Sequence, residues 1–294
     1  MDVTLVTGAR GLLGKAIMQS HIGEITSTKL IGLSRKPSND ENIIECKYDQ
    51  NFIQSIQSKG WNVKHIIAAA GFPPVYMSFK QPWNDNTNNF APILFTLEMA
   101  RAFGASIIYT SSVELYGSDH NALRQENSLL APRNFYGLNK YFSERYVQFY
   151  ADIFGVKYLI LRPSIFIGEN ISKNIIFELK KAIHKTKTVD IYCTSDSVLN
   201  FIHVDDVSNA IEFLLQQNKW NEIFNIGSDE DLKISELIDW VEKTNKVKLN
   251  IHQCDTEFQF KTAPSGKINK LGWKPVKTIR ERLDYYFKQP QEFS

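Results

Sequence analysis

A chain of 294 residues is long enough for one large α/β domain with an appended lobe, and it needs no disulfides to hold a core. Its composition, 43% hydrophobic and 22% charged, excludes disordered and fibrous classes. A formal net charge of +2 gives no reason to expect nucleic acid or a membrane surface as the main partner, although a local basic site for a phosphorylated ligand stays open. Cys46, Cys193 and Cys254 are odd in number and widely spaced, which fits reduced thiols of a cytoplasmic protein and no metal site. The opening MDVTLVTGARG reads as running straight into a strand, with no signal peptide expected, and no apolar run reaches membrane-span length.

The first strand runs into VTGARGLLG, which sets Gly8, Gly11 and Gly14 at three-residue spacing before a helix at about residues 12–22. Glycines there allow a tight turn and let backbone N–H groups approach a pyrophosphate, which a helix N-terminus also attracts. Arg10, Leu12 and Leu13 complete this loop. The strand-turn-helix context favours a dinucleotide cradle over a merely structural glycine turn. The second strand, KLIGLS, ends at Ser34, where a carboxylate would grip the ribose diol of NAD. Ser34, Arg35 and Lys36 instead offer a hydroxyl and two cations suited to a 2′-phosphate, with Arg10 leaning in from the loop. NADP(H) is the cofactor so indicated, and NAD is the alternative if Arg35 and Lys36 are only solvated loop charges. Asp49 either hydrogen-bonds an adenine amino group or caps the helix at about residues 50–59.

Further strands follow at HIIAAAG, SIIYTSS and YLILRPS, with helices at about residues 86–103, 135–154 and 173–186. That alternation predicts an α/β fold, a doubly wound parallel sheet of the Rossmann type with helices on both faces. After residue 163 the pattern loosens into VDIYC, FIHVDDVSNAIEFLLQQ, EIFNIG, ISELIDWVEKTN and IRERLDYYFK. Residues 1–163, with 200–215 returning, are read as the dinucleotide-binding domain, and 164–294 mainly as a smaller interleaved C-terminal lobe for substrate.

YGLNK places Tyr136 and Lys140 four residues apart, on one face of a helix. A phenol is a poor acid–base at neutral pH until a nearby ammonium stabilises its phenolate. Upstream, TSSVELYG ends a strand with Thr110, Ser111 and Ser112, hydroxyls able to hold a substrate oxygen beside the tyrosine.

TGARGLLG, AAAG, TSSVELYG, YGLNK, LRPSIFIG, FIHVDDV, FNIG and LGWKP occur in the order and at about the spacing of a known family. Over nearly its whole length the chain resembles the extended short-chain dehydrogenase/reductases, the branch of nucleotide-sugar epimerases, dehydratases and reductases. The resemblance implies that Ser112 holds the substrate hydroxyl, Tyr136 is the acid–base, and Lys140 activates it while binding the nicotinamide ribose. It also implies that Ala69, Ala70 and Pro163 line the cofactor, that Asn89 is the asparagine of the central helix, and that two long helices pair subunits into a homodimer. Glu114 stands where the resembling dehydratases keep a base, but Val113 stands where they often keep the partner acid. Glu114 is thus a catalytic base or a polar residue ordering its loop.

The small lobe departs further. Ile165 replaces an asparagine that contacts substrate in many relatives, and Leu199 replaces an arginine on the diphosphate, which leaves Lys180, Lys181 and Lys261 as candidate cations. His203, Asp205 and Asp206 read as a strand-to-helix junction, with Asp206 as the cap and His203 structural. Tyr116, Phe135 and Trp83 read as core or pocket wall. The NADP reading of Ser34, Arg35 and Lys36 and the presence of Val113, taken with the resemblance, imply an NADPH-dependent reductase of a nucleotide-linked keto-deoxy-sugar, at C4, with Ser112, Tyr136, Lys140 and Glu114 at the reacting centre. The alternatives are an NAD(P)-dependent epimerase or 4,6-dehydratase of the same family and, more remotely, a non-catalytic NADP-sensing protein.

Overall fold

The computed structural model describes residues 1–71, 82–117, 124–169, 171, 174–194, 197–228, 230–253 and 262–290. Cys254 and Lys261 lie outside these. The N-terminal half alternates strand and helix: β1 (Asp2–Thr7), α1 (Leu12–Met18), α2 (Ile22–Thr26), β2 (Lys29–Ser34), β3 (Ile43–Glu45), α3 (Gln50–Ser58) and β4 (Asn62–Ala68). Then come α4 (Pro82–Asp85), a π-helical turn (Asn86–Phe90), α5 (Ala91–Phe103), β5 (Ser106–Thr110), a 3₁₀ turn (Val113–Tyr116), α6 (Phe135–Phe154) and β6 (Tyr158–Pro163).

Seven strands form one sheet in the order β10-β6-β5-β4-β1-β2-β3, where β10 is Glu222–Ile226, and every neighbouring pair is parallel. β5 is buried at every position and β1 at all but its first, as strands covered by helices on both faces must be. This is the doubly wound α/β fold that the alternation predicts. Helix α8 (Val204–Gln216) returns to it, its Val207, Ala210, Ile211 and Leu214 sharing a core with Leu13 and Ile17 of α1.

The remaining elements are β7 (Ile165–Ile167), α7 (Ile175–Lys181), a second π turn (Ala182–Thr186), β8 (Thr188–Ile191), β9 (Val198–His203), β11 (Asp231–Lys233), α9 (Ile234–Asn245), β12 (Asn250–Gln253), α10 (Gly266–Lys270) and α11 (Ile279–Lys288). They build a three-stranded sheet β11-β9-β7 and a two-stranded sheet β12-β8 around a separate core that includes Leu179, Leu199, Leu237 and Leu283. Among the described residues no helix is long and apolar enough to cross a membrane.

Two departures from the predicted elements have local causes. The helix foreseen to residue 22 stops at Met18, because the Ser20 hydroxyl donates to the Ile17 carbonyl at 2.6 Å and competes with the helical ladder. The helix foreseen from residue 86 begins as a π turn. Pro92 has no N–H to return to the Asn88 carbonyl, so the turn before it widens. Trp83, expected in a wall or core, is 81% exposed, and Phe135 is 40% exposed, whereas Tyr116 is buried.

Candidate active site

The glycine loop lies at the C-terminal ends of β1 and β4 and is held flat by close packing. Gly8 takes φ 68°, and a Cβ there would sit 2.7 Å from Ala70 Cα. A Cβ at Gly14 would fall inside the Gly8 carbonyl oxygen and 2.7 Å from Ala9 Cα. A side chain at either position would push the loop off the sheet and close the concavity that a pyrophosphate needs. Ala70 N–H donates to Thr7 Oγ1 at 3.3 Å, fixing the Ala69–Ala70 wall to the same loop. Leu13 is buried in the core shared with α8, and Leu12 lies against both that core and the core of the small lobe.

At the end of β2 the Ser34 hydroxyl donates to the Lys36 carbonyl at 2.8 Å and accepts the Lys36 N–H at 3.2 Å, closing a turn on itself. Arg10 Nη1 donates to the Pro37 carbonyl at 3.0 Å, and Arg35 Nη1 donates to Asn88 Oδ1 at 3.0 Å. Both partners are neutral oxygens. Asp49 Oδ1 accepts the Phe52 N–H at 2.9 Å, so the cap is the role its carboxylate fills here.

Strand β5 and helix α6 bring Lys140 to the end of β5 and to the ring of Tyr136. Lys140 is 3% exposed; its Nζ donates to the Thr110 carbonyl at 2.9 Å and lies 5.6 Å from the centre of the Tyr136 ring and 5.1 Å from that of Tyr109. A methyl group on Gly71 would stand 3.2 Å from Asn89 Oδ1 and 3.7 Å from Lys140 Nζ, so both polar groups lie close to one spot. Ser112 Oγ accepts the Glu114 N–H at 3.2 Å, leaving its own proton to donate. Among the described residues the buried hydroxyls Thr110 Oγ1, Ser111 Oγ and Ser164 Oγ have no hydrogen-bond partner. Unsatisfied hydroxyls cost about 1–3 kcal/mol each when buried and are the kind of exception a ligand explains. The glycine-lined concavity, the cations at Arg10 and Arg35 and these hydroxyls fit a nicotinamide dinucleotide.

Glu114 is half-buried. Desolvation pushes its carboxyl above the ordinary range, against the opposing pull of a 3.1 Å hydrogen bond from Asn134 Nδ2 and the charge of Arg124. Asn134 is a residue the spacing of motifs did not reveal: its Oδ1 also accepts the Gly137 N–H at 2.6 Å and caps α6. One side chain therefore fixes both Glu114 and the helix that carries Tyr136. A carboxyl raised in the folded state adds stability below its unfolded pKa, and that contribution is lost as pH rises through the folded value. Glu114→Gln is expected to raise Tm at neutral pH, with the gain vanishing near about pH 4; a Tm series against pH checks it.

Beneath the site, Arg162 Nη2 and Nε donate to the two Glu144 oxygens at 2.7 and 2.9 Å, with both side chains 1% exposed. Arg162 Nη1 also donates to Tyr116 OH at 2.7 Å, which donates onward to Asn225 Oδ1 at 2.7 Å. Glu144 could have been found in the sequence, since it continues the four-residue step from Tyr136 and Lys140 along one helix face.

Other expected site residues serve the fold. Lys180 is no diphosphate ligand: it is buried, donates to the Tyr286 carbonyl and lies 4.1 Å from the centre of the Tyr286 ring. Lys181 pairs with Glu178 at 3.8 Å on the surface. Leu199 is buried in the small-lobe core, and Ile165 is half-buried on β7. The cap at the start of α8 is His203, whose Nδ1 accepts the Asp205 N–H at 3.2 Å, and not Asp206. Asp206 instead accepts from Arg282 Nη2 at 3.1 and 3.2 Å and from the Val276 N–H at 2.9 Å.

The comparisons agree with this geometry. Residues 4–227 match the family described as NAD dependent epimerase/dehydratase. A putative UDP-glucose 4-epimerase of Methanocaldococcus jannaschii is 27% identical, covering 95% of each chain. The dTDP-4-dehydro-6-deoxyglucose reductase of Escherichia coli is 26% identical, covering 97% of this chain and 96% of its own. The UDP-glucuronic acid 4-epimerase of Bacillus cereus, solved with UDP-glucuronic acid and NAD, superposes with a TM-score of 0.85 at 20% identity, covering 98% of each chain. With a glycine cradle, a Ser-Tyr-Lys set and a family match over most of its length, the chain belongs to the NAD dependent epimerase/dehydratase family of extended short-chain dehydrogenase/reductases, nicotinamide-dependent enzymes of nucleotide sugars.

Proposed function

We propose that this enzyme is an NADPH-dependent reductase of a nucleotide-linked 4-keto-deoxy-sugar. The observation that carries the cofactor choice is the end of β2, where Arg10 and Arg35 are held by neutral oxygens and no carboxylate stands at Ser34. Val113, in place of an acid beside Glu114, weighs against elimination of water. The similarity to a keto-sugar reductase along almost the whole chain supports the same reading.

A reduced dinucleotide bound in this cradle supplies the hydride that forms the new C–H bond. The chain's own residues handle the oxygen. Ser112 donates a hydrogen bond to the substrate carbonyl, Tyr136 gives its phenolic proton to that oxygen as the C=O π pair moves onto it, and Lys140 stabilises the phenolate left behind. The phenolate then recovers a proton from solvent, so ketone, reduced dinucleotide and one proton would together yield the alcohol and the oxidised dinucleotide.

Glu114 favours a second reading, epimerisation or dehydration in the same pocket, because its desolvated carboxyl is suited to moving a proton at carbon. The partner reading is a homodimer. Phe142, Tyr146, Phe149 and Ile153 recur at helical spacing along α6 and are 41–59% exposed, an apolar stripe fit to meet a second copy.

Titration with NADPH and NADH, followed by quenching of the five tryptophans, tests the cofactor choice. NADPH is expected to bind at least about tenfold more tightly, from the two guanidinium contacts available to a 2′-phosphate. A preference for NADH, or substrate turnover without consumption of NADPH, would overturn the reductase reading.

A further inference from the structure

We infer that Asn88 positions Arg35 and thereby sets how strongly the enzyme prefers a 2′-phosphorylated dinucleotide. The inference rests on the NADPH reading above and adds to it a residue 53 positions away from the arginine it acts through.

Arg35 leaves the end of β2 on a flexible stem, and a free guanidinium there would sample many rotamers. Its Nη1 donates to Asn88 Oδ1 at 3.0 Å. The orientation of the Asn88 carboxamide is itself fixed, since Nδ2 donates to the Asn84 carbonyl at 2.7 Å and so turns the oxygen toward the arginine. The carboxamide consumes one guanidinium N–H, carries no charge and leaves the cation's full charge for an anion. A carboxylate in the same place would neutralise Arg35 and repel a phosphate.

The placement of Asn88 follows from the backbone. It lies in the π-helical turn Asn86–Phe90, whose wider path sets consecutive side chains at different angles from those of an α-helix. Asn88 reaches Arg35 at the adenosine end, whereas its neighbour Asn89 is buried, with Oδ1 beside Gly71 and Lys140 at the nicotinamide end. One turn thus contacts both halves of the cofactor site, and Asn88 serves the half that distinguishes NADP from NAD.

Binding to the whole protein by tryptophan quenching gives the test, with NADPH, NADH and adenosine 2′,5′-bisphosphate as probes. Asn88→Ala is expected to weaken NADPH and the bisphosphate by about three- to tenfold, the loss from freeing one long side chain, and to leave NADH within about twofold. Asn88→Asp is expected to weaken both phosphorylated probes by more than about thirtyfold while again sparing NADH. With Arg35→Met already in place, Asn88→Ala should have no further effect, and Asn88→Asp should keep only its direct repulsion of the phosphate. Equal shifts for NADPH and NADH, or an effect of Asn88→Ala that persists without Arg35, would overturn the inference and leave Asn88 a purely structural residue. A wild type that binds NADH as well as NADPH would overturn the cofactor reading itself, a different outcome from a wild type that prefers NADPH but ignores Asn88.

Discussion

Phenylalanine at position 136 is expected to lower turnover by about 10²- to 10⁴-fold, the range that a positioned acid or base contributes. The substitution removes one oxygen and keeps the ring near Lys140, whose ammonium is anchored independently by the Thr110 carbonyl. Dinucleotide affinity should therefore stay within about twofold, because Lys140 and the glycine loop are untouched. Single-turnover kinetics beside a binding titration separates the two effects. Undiminished turnover would mean that another group supplies the proton, and Glu114 would be the group to change next. Unchanged binding with no activity on any keto-sugar, in wild type and variant alike, would favour the sensing role.

The largest effect on stability is expected at the pair beneath the site. Arg162→Met leaves the Glu144 carboxylate buried without its bidentate partner and should cost about 3–5 kcal/mol, read from urea denaturation. Most of that penalty belongs to the orphaned charge and not to the net value of the pair. The double replacement Arg162→Met with Glu144→Leu should accordingly recover a large part of it. Recovery would be incomplete, since the Glu126 carbonyl loses the Arg162 donor and the Tyr116 hydroxyl keeps only Asn225. A single replacement that costs less than about 1 kcal/mol would show that water reaches Glu144.

The parts of this molecule legible in its sequence are those whose physics is local. Strand burial follows from continuous apolar runs, the cradle from three glycines on one turn, and the nearness of Tyr136 to Lys140 from the helical repeat. What stayed hidden joins distant segments. Asn134 caps α6 through a bond three positions away, but its second bond, to Glu114, crosses 20 positions. Arg35 reads as a cation offered to a 2′-phosphate, but its bond to Asn88 crosses 53 positions. Lys180 was misread for the opposite reason: a lysine on a surface-looking helix reveals nothing of the aromatic ring and carbonyl that a distant C-terminal helix lays over it. His203 displaced Asp206 as the cap because Arg282, 76 positions on, claims the aspartate.

Helix α11 is bound at two points, by Arg282 to Asp206 at the head of α8 and by its Tyr286 carbonyl to Lys180. It also supplies Ile279, Leu283, Tyr286 and Phe287 to the core of the small lobe. During synthesis all seven strands of the large sheet have left the ribosome by residue 226, whereas that core stays open until residue 287 has emerged. At about 5–20 residues per second the gap is about 3–12 s. For that interval the nascent chain carries a finished nucleotide cradle beside an uncovered apolar lobe, the stage at which a chaperone has most to shield.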